Sequence, residues 1–347
     1  MQEVPSSTVL QGNKGSGYLP TLDGWRAVAI GFVVLHHLYN ASSDNIFGDA
    51  GPIGVKIFFG ISGFLICSRL MDEQELTGRI SISGFYIRRF FRILPAAFVY
   101  LLTLAVLKQV SLIEVNYDEL IASAFFIRNY FPGTWLTQHL WSLAVEEHFY
   151  LIFPFLFACL GKSSTQRTVL VAAIMIAIWR EIEKRYMFLT ALMPNVPMYN
   201  RTDMCLDGLL FGCWFALIFR RMHWIFTSQL ARYSSFLFPV LLYVMVIKVL
   251  HVPAIVFSIV ISYAIAVTVA NPDLLLSRLL ETSPMRWVGR YSYSLYLWQQ
   301  LASISSWPIN IIPTFCFAIV SYRYIERPFI RLGHYFAKPV TKGRIEQ

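Results

Sequence analysis

Charge is scarce in this chain. Only 14% of its 347 residues are Asp, Glu, Lys or Arg, against about 25% in an ordinary soluble domain, which excludes a water-soluble globular body. Acidic residues are the scarcer sign, 20 against 29 basic, for a net charge of +9. In so apolar a chain that excess reads as lysines and arginines in cytoplasmic loops, and not as a nucleic-acid footprint. Cysteine is also sparse. Cys67, Cys159, Cys205, Cys213 and Cys316 fall mostly inside apolar runs and show no C-x-x-C spacing, so they imply neither a disulfide framework nor a metal site. Internal repeats are missing, as is any matched pair of Gly/Pro-broken helices, and this weakens a secondary-transporter reading. Residues 1–20 lack the apolar core of a secretory signal. They are polar, rich in Gly and Ser, and read as a disordered cytoplasmic lead.

What remains is apolar, with 56% hydrophobic residues and a mean hydropathy of +0.54. A membrane span needs about 20 apolar residues. Candidate spans fall near 24–41, 52–70, 93–110, 139–161, 167–181, 203–220, 235–250, 253–271, 287–306 and 308–326. The expected fold class is therefore all-α, a polytopic membrane helical bundle of about ten transmembrane helices over 21–332, with a short tail at 333–347. The positive-inside rule orients it. Arg88, Arg89 and Arg92, Lys162/Arg167, Arg220/Arg221, Arg278/Arg286/Arg290 and the tail all fall inside if both termini are cytoplasmic. Loop 42–51, with Asp44 and Asp49, and the loop at 251 fall outside. Loop 182–202 is the exception, being placed outside while carrying Lys184, Arg185 and Arg201. Counting 118–131 as a span would put Lys162 and Arg167 outside, so that segment is read as re-entrant or interfacial.

Four stretches could carry chemistry. The first is Leu22–His37, LDGWRAVAIGFVVLHH. From Arg26 to His37 is about three helical turns and about 16 Å of rise, so Asp23 and Arg26 sit at one interface and His37 near the middle, on one face. Ionisable groups at such depth usually mark a functional site, and the ordinary pKa of histidine suits proton transfer at neutral pH. His36 points about 80° away and is read as structural. The second is the cluster Arg88, Arg89 and Arg92, placed at the cytoplasmic start of the third span. Guanidinium groups fork onto phosphate oxygens, but juxtamembrane arginines also simply fix orientation or hold anionic lipid.

The third stretch is His139–Tyr150, with Trp141 and the adjacent carboxylates Glu146 and Glu147, placed at the outer end of the fourth span. One of these carboxylates could orient an imidazole or accept a sugar hydroxyl; a solvated interfacial pair is the alternative. H-E-x-x-H is absent, so no zinc protease site is expected. The fourth, Gly54–Phe64, packs glycines and Ser62 into the second span, as close helix approach or a ligand crevice requires. Arg201 and Asp203 form a candidate salt-linked pair, and Tyr291–Trp298 a candidate aromatic belt.

Together these strings resemble the membrane acyltransferase-3 family. Its opening LDGxRxxA…H is matched by Leu22–Ala29 and His37, with ten residues between arginine and histidine. Gly54–Ile66 is similar to GVxxFFxxSGFLI, Arg88–Pro95 to RRxxRxxP, and Trp141–Tyr150 to WSLxVEExFY. RxD…G, SYxLYLW and ERP have counterparts at Arg201/Asp203/Gly208, Ser292–Trp298 and Glu326–Pro328. Three positions depart from the pattern: Lys56 where the family usually has aspartate, His148 at a common glutamine position, and Gln299 where histidine often follows SYxLYLW.

The resemblance implies an integral O-acyltransferase of the bacterial cytoplasmic membrane, probing hydroxyls of exopolysaccharide, lipopolysaccharide or another cell-envelope carbohydrate. It implies an acyl-coenzyme A donor, acetyl-coenzyme A at the family level, whose phosphates meet Arg88, Arg89 and Arg92, and no permanently bound cofactor. It implies His37 as the catalytic histidine, oriented near Arg26, with Glu146 the favoured carboxylate of the Glu146/Glu147 pair. Some members carry an extracytoplasmic esterase-like domain. No such domain is expected here, so the expectation is direct acylation of a saccharide or lipid-linked glycan, or hand-over to a separate partner. His37 could act as general base or take the acyl group as an acyl-imidazole, with Arg26 or the Ser62/Gly63 backbone at the oxyanion. The competing expectation is a secondary transporter or flippase with His37, Arg26 and Glu146 as an intramembrane path. Membrane lipids are expected neighbours in either case, and the sequence sets no oligomeric state.

Overall fold

The computed structural model describes residues 18–39, 50–246, 253–302 and 311–337. The remainder of the lead, most of loop 42–51, the loop at 251 and the tail beyond 337 lie outside the described residues. Among those described, every regular element is helical, as expected. The chain begins with α1 (Pro20–Tyr39), α2 (Ala50–Thr77) and α3 (Ile82–Gln109). The short α4 (Tyr117–Ala124) and α5 (Trp135–Gln138) then lead into α6 (Leu140–Tyr186). After α7 (Phe188–Leu192) and α8 (Thr202–Cys205) come α9 (Asp207–Phe219), α10 (His223–Thr227), α11 (Gln229–Ser234) and α12 (Leu237–Val246). The last elements are α13 (Ala254–Ala270), α14 (Leu275–Leu280), α15 (Ser283–Ala302), α16 (Ile311–Ser321) and α17 (Arg327–Phe336).

Among the described residues, three helical stretches are long and apolar enough to cross a membrane: α2, α3 and the run Trp135–Tyr186. Helices α9 and α13 are apolar but shorter. The segment 118–131 holds only the eight-residue α4 and a 3-10 turn at Arg128–Tyr130. Eight residues rise about 12 Å, well short of a bilayer core.

Two boundaries differ from expectation. The third span was expected at 93–110, yet α3 starts at Ile82, capped by Ser81, whose Oγ accepts from the Gly84 amide at 3.1 Å. Hydropathy alone ends a span at its first charges, whereas the cap and the helical backbone extend two to three turns further back. Arg88, Arg89 and Arg92 therefore lie inside α3 instead of ahead of it. The second difference is at Gly161, where α6 changes direction at φ 66°, ψ 173°. That region is essentially reserved for glycine. The expected spans 139–161 and 167–181 are thus two helices meeting at one residue, without an intervening loop.

The described residues fall into two compact units. One draws on residues within Met1–His36, Asp44–Cys67 and Gly208–Ser292. Its core includes a close approach of α2 and α9. A Cβ on Gly63 would lie 2.0 Å from the Leu209 carbonyl oxygen, and one on Gly212 would lie 2.4 Å from that of Gly60. This is the tight packing that small residues permit. Trp25 donates from Nε1 to Thr268 Oγ1 at 2.9 Å.

The other unit draws on residues within His37–Ser43, Ser68–Asp207 and Tyr293–Gln347. Here Phe91 of α3 stacks on Phe336 and Phe329 of α17, with centroids 5.7 and 6.3 Å apart. Helices α3 and the first half of α6 run antiparallel. Tyr86 donates to the Leu151 carbonyl and Tyr100 to the Leu136 carbonyl, each at 2.7 Å. That register decides which polar side chains meet.

Candidate functional site

His37 is half-buried near the end of α1, and its partners come from α15 and α5. Its Nδ1 lies 2.9 Å from Gln299 Oε1. Trp135 meets the imidazole edge-on, at 5.0 Å between centroids and 82° between planes. Gln299 is 3% exposed, so the glutamine side of this part-buried bond is held away from water. The sequence offered Gln299 only as a departure from a family pattern, and the fold makes it the partner of the leading candidate residue.

The next residue repeats the arrangement with a second histidine. Gln300 Oε1 lies 2.5 Å from His139 Nδ1. Tyr296 donates to the His139 carbonyl at 2.5 Å and shares a 2.6 Å bond with Ser142 Oγ. Consecutive helical residues point about 100° apart, and so two adjacent glutamines hold two different histidines. His139 is buried, and its Nε2 finds no partner among the described residues.

The arginine cluster and the paired glutamates share one level. Arg89 lies over the ring of Tyr150, with 4.2 Å from guanidinium carbon to centroid, and Tyr150 donates to Glu146 Oε2 at 2.6 Å. Glu147 lies within electrostatic range of Arg89 and Glu146. Tyr293 feels Glu326, Glu147, Arg92 and Glu146 together, and it donates to the Ile93 carbonyl at 2.7 Å. Glu326, of the E-R-P string, is buried and accepts from Ser294 Oγ at 2.9 Å. The placement of the arginines at one end of a span and the glutamates at the opposite membrane face is thus corrected. The early start of α3 carries the arginines into the bundle, where carboxylates offset their charge. Arg88 turns instead to Glu73, at 3.4 Å. Glu147 Oε1 is buried without a partner among the described residues.

Asp23 and Arg26 stand apart from His37 along α1. Eleven residues separate Arg26 from His37, about 16 Å of helix. Arg26 Nη1 bonds Asp23 Oδ1 at 2.7 Å, and Tyr18 donates to Asp23 Oδ2 at 2.5 Å. Gly289 of α15 lies against the Asp23 backbone so closely that a Cβ there would meet its carbonyl oxygen at 1.9 Å. Ser62 is half-buried in α2 and Trp141 half-buried in α6.

Arg201 and Asp203 belong to a buried ion network. Arg201, 1% exposed, bonds Asp203 at 2.6 and 3.1 Å, Glu183 at 3.0 Å and Thr190 at 3.2 Å. Trp179 donates to the same Asp203 at 2.8 Å. Beside it, Arg180 grips Asp207 with both Nη atoms, at 2.9 and 3.1 Å. Sequence reasoning missed Arg180, Glu183 and Asp207. Arg180 and Glu183 carry the signal of helical spacing, since residues three apart share one helix face; Asp207 opens α9, separate from Asp203 in α8, and has no such signal.

All-helical elements of this length and hydropathy define a helical membrane protein. Comparison with known proteins narrows the class: the chain belongs to the acyltransferase-3 family, whose acyltransferase domain matches residues 19–325. Peptidoglycan O-acetyltransferase OatA of Listeria monocytogenes is 28% identical over 370 residues, covering 91% of this chain and 56% of its own. O-acetyltransferase OatA of Staphylococcus aureus is 30% identical over 360 residues, covering 91% of this chain and 58% of its own. A putative O-acetyltransferase of Staphylococcus aureus strain COL is 29% identical over 364 residues, with the same coverage. This chain spans a little over half the length of these curated relatives. No solved structure matches it.

Proposed function

We propose that this chain is a membrane O-acetyltransferase, moving an acetyl group from cytoplasmic acetyl-coenzyme A to a hydroxyl of a cell-surface or lipid-linked saccharide. Family membership and the O-acetyltransferase names of its relatives support the reaction class. The observation that carries the reading is the setting of His37, an imidazole near the end of an apolar helix, held through Nδ1 and braced by an aromatic ring.

In the proposed reaction the acceptor hydroxyl gives its proton to His37 as its oxygen attacks the thioester carbonyl. The new C–O bond forms, the C–S bond breaks, and the proton passes to the departing thiolate. Arg88, Arg89 and Arg92 form the basic surface for the coenzyme A phosphates, with Arg89 linking that surface to Tyr150 and Glu146. Glu146 and Glu147 accept sugar hydroxyls or steady the positive charge nearby. Asp23 and Arg26 order the start of α1. The setting is the bacterial cytoplasmic membrane, with about ten spans and both termini inside, and coenzyme A reaches the bundle from that side.

Inside-out vesicles supplied with acetyl-labelled coenzyme A test the reading. It requires label in the glycan or lipid fraction matched by free coenzyme A, and its absence from vesicles lacking this chain. Coenzyme A consumption with label only in water-soluble acetate would remove the saccharide acceptor. No consumption at all, with folded protein present, would remove the donor.

A further inference from the structure

A carboxamide oxygen can only accept a hydrogen bond. The Gln299 amide is oriented with Oε1 2.9 Å from His37 Nδ1, an arrangement that is a hydrogen bond when Nδ1 carries the ring proton. In a neutral imidazole the other nitrogen, Nε2, then holds the lone pair. The far end of the same amide, Gln299 Nε2, is buried and meets no acceptor among the described residues. Leaving an amide donor unmatched in the interior is costly, so the orientation of this amide is the feature to be tested. Among the described residues, His37 is the hydrogen-bond partner of this amide. Trp135 meets the ring edge-on, and His139 lies within electrostatic range of it.

We propose that Gln299 is a positioning residue that fixes His37 as the Nδ1–H tautomer and thereby assigns the base to Nε2. Its neutrality matters as much as its oxygen. A carboxylate in its place would also hold Nδ1–H, but it would favour the imidazolium and withhold the base until higher pH. An apolar side chain would free both tautomers. The kinetic consequences rest on the acyl-transfer reading above; the tautomer does not.

Histidine-labelled protein in bilayers, read by solid-state nitrogen NMR, separates the two. The His37 signal is identified by subtraction of His37→Asn. We expect Nδ1–H in the wild type, the same tautomer in Gln299→Glu, and a shift toward Nε2–H in Gln299→Leu. In transfer assays Gln299→Leu should lower kcat by about 100-fold, with KM for acetyl-coenzyme A within about twofold. In Gln299→Glu the acid limb of the pH profile should move up by about one unit. A merely structural glutamine would change the yield of folded protein and leave tautomer and pH profile in place. Wild-type His37 in the Nε2–H form overturns the proposal, as does a Gln299→Leu spectrum identical to wild type. If Gln299→Leu does not fold, the wild-type and Gln299→Glu spectra still decide. Nδ1–H in a protein that transfers no acetyl group would support the proposal and sink the acyl-transfer reading.

Discussion

Arg89 rests on Tyr150, with 4.2 Å between guanidinium and ring, and the hydroxyl of that same tyrosine donates to Glu146 at 2.6 Å. One tyrosine thus joins a basic cluster to an acidic pair that lies more than fifty residues away in the chain. Its neighbour Arg88 leans on Glu73 at 3.4 Å with 35% of its side chain exposed. The three arginines are therefore not equivalent.

A cation over an aromatic ring in a desolvated setting contributes about 1–2 kcal/mol, and here it also orients a carboxylate. Arg89→Ala should cut acetyl transfer by about tenfold or more, while Arg88→Ala, whose own side chain is partly exposed and whose ion pair is long, should cost about threefold or less. Initial rates at saturating and limiting acetyl-coenzyme A check this. Equal effects of the two substitutions would contradict the inequality.

Removing one member of a buried ion pair leaves its partner uncompensated, at about 3–5 kcal/mol. Arg201→Ala should therefore deplete folded protein, because it strands Glu183 and Asp203 together. Size-exclusion profiles of fluorescently tagged variants would show it. Were Arg201 chiefly a contact for the acceptor, the variant would fold normally and lose only affinity.

Gly161 occupies a backbone region that costs other residues about 1–3 kcal/mol, although its surroundings leave room for a Cβ. Gly161→Ala should lower the melting temperature through backbone strain alone. A melting curve that does not move would mean that α6 bends elsewhere.

Arg232 pairs with Asp273 in the connection between α13 and α14, and its guanidinium holds the Asp273 carboxyl below the usual carboxylate range. The folded value lies below the unfolded one, so the stabilisation is present above about pH 4 and disappears as pH falls through the folded value. Both side chains are largely exposed, so the effect is small. Asp273→Asn should melt slightly below wild type at neutral pH, and the two curves should converge in strong acid.

His37 was legible because an imidazole in a long apolar run, on the face of Asp23 and Arg26, breaks the pattern of its own helix, and helical spacing is a local property. Gln299 was not, because its meaning comes from a residue 262 positions away, and nothing in the string S-Y-S-L-Y-L-W-Q-Q states which side chain it will face. The arginine cluster was legible as a cluster but wrongly placed in depth. Charges look like the end of a span, and only Ser81, three residues ahead of Gly84, marks the true start of α3. The close packing of α2 was readable from its glycines, although their partners Leu209 and Gly212 were not. Arg201 and Asp203 were visible as neighbours in sequence. The buried network around them needed Arg180, Glu183 and Asp207, which folding brings together.

The measurement closest to the central claim is coenzyme A release by purified, reconstituted protein, comparing wild type with His37→Ala at matched amounts of folded material. Acid–base assistance of this kind contributes about 10²- to 10⁴-fold. The account predicts that His37→Ala loses acceptor-dependent release by at least about 100-fold, with binding of acetyl-coenzyme A preserved. A His37→Ala protein that releases coenzyme A at the wild-type rate would contradict it.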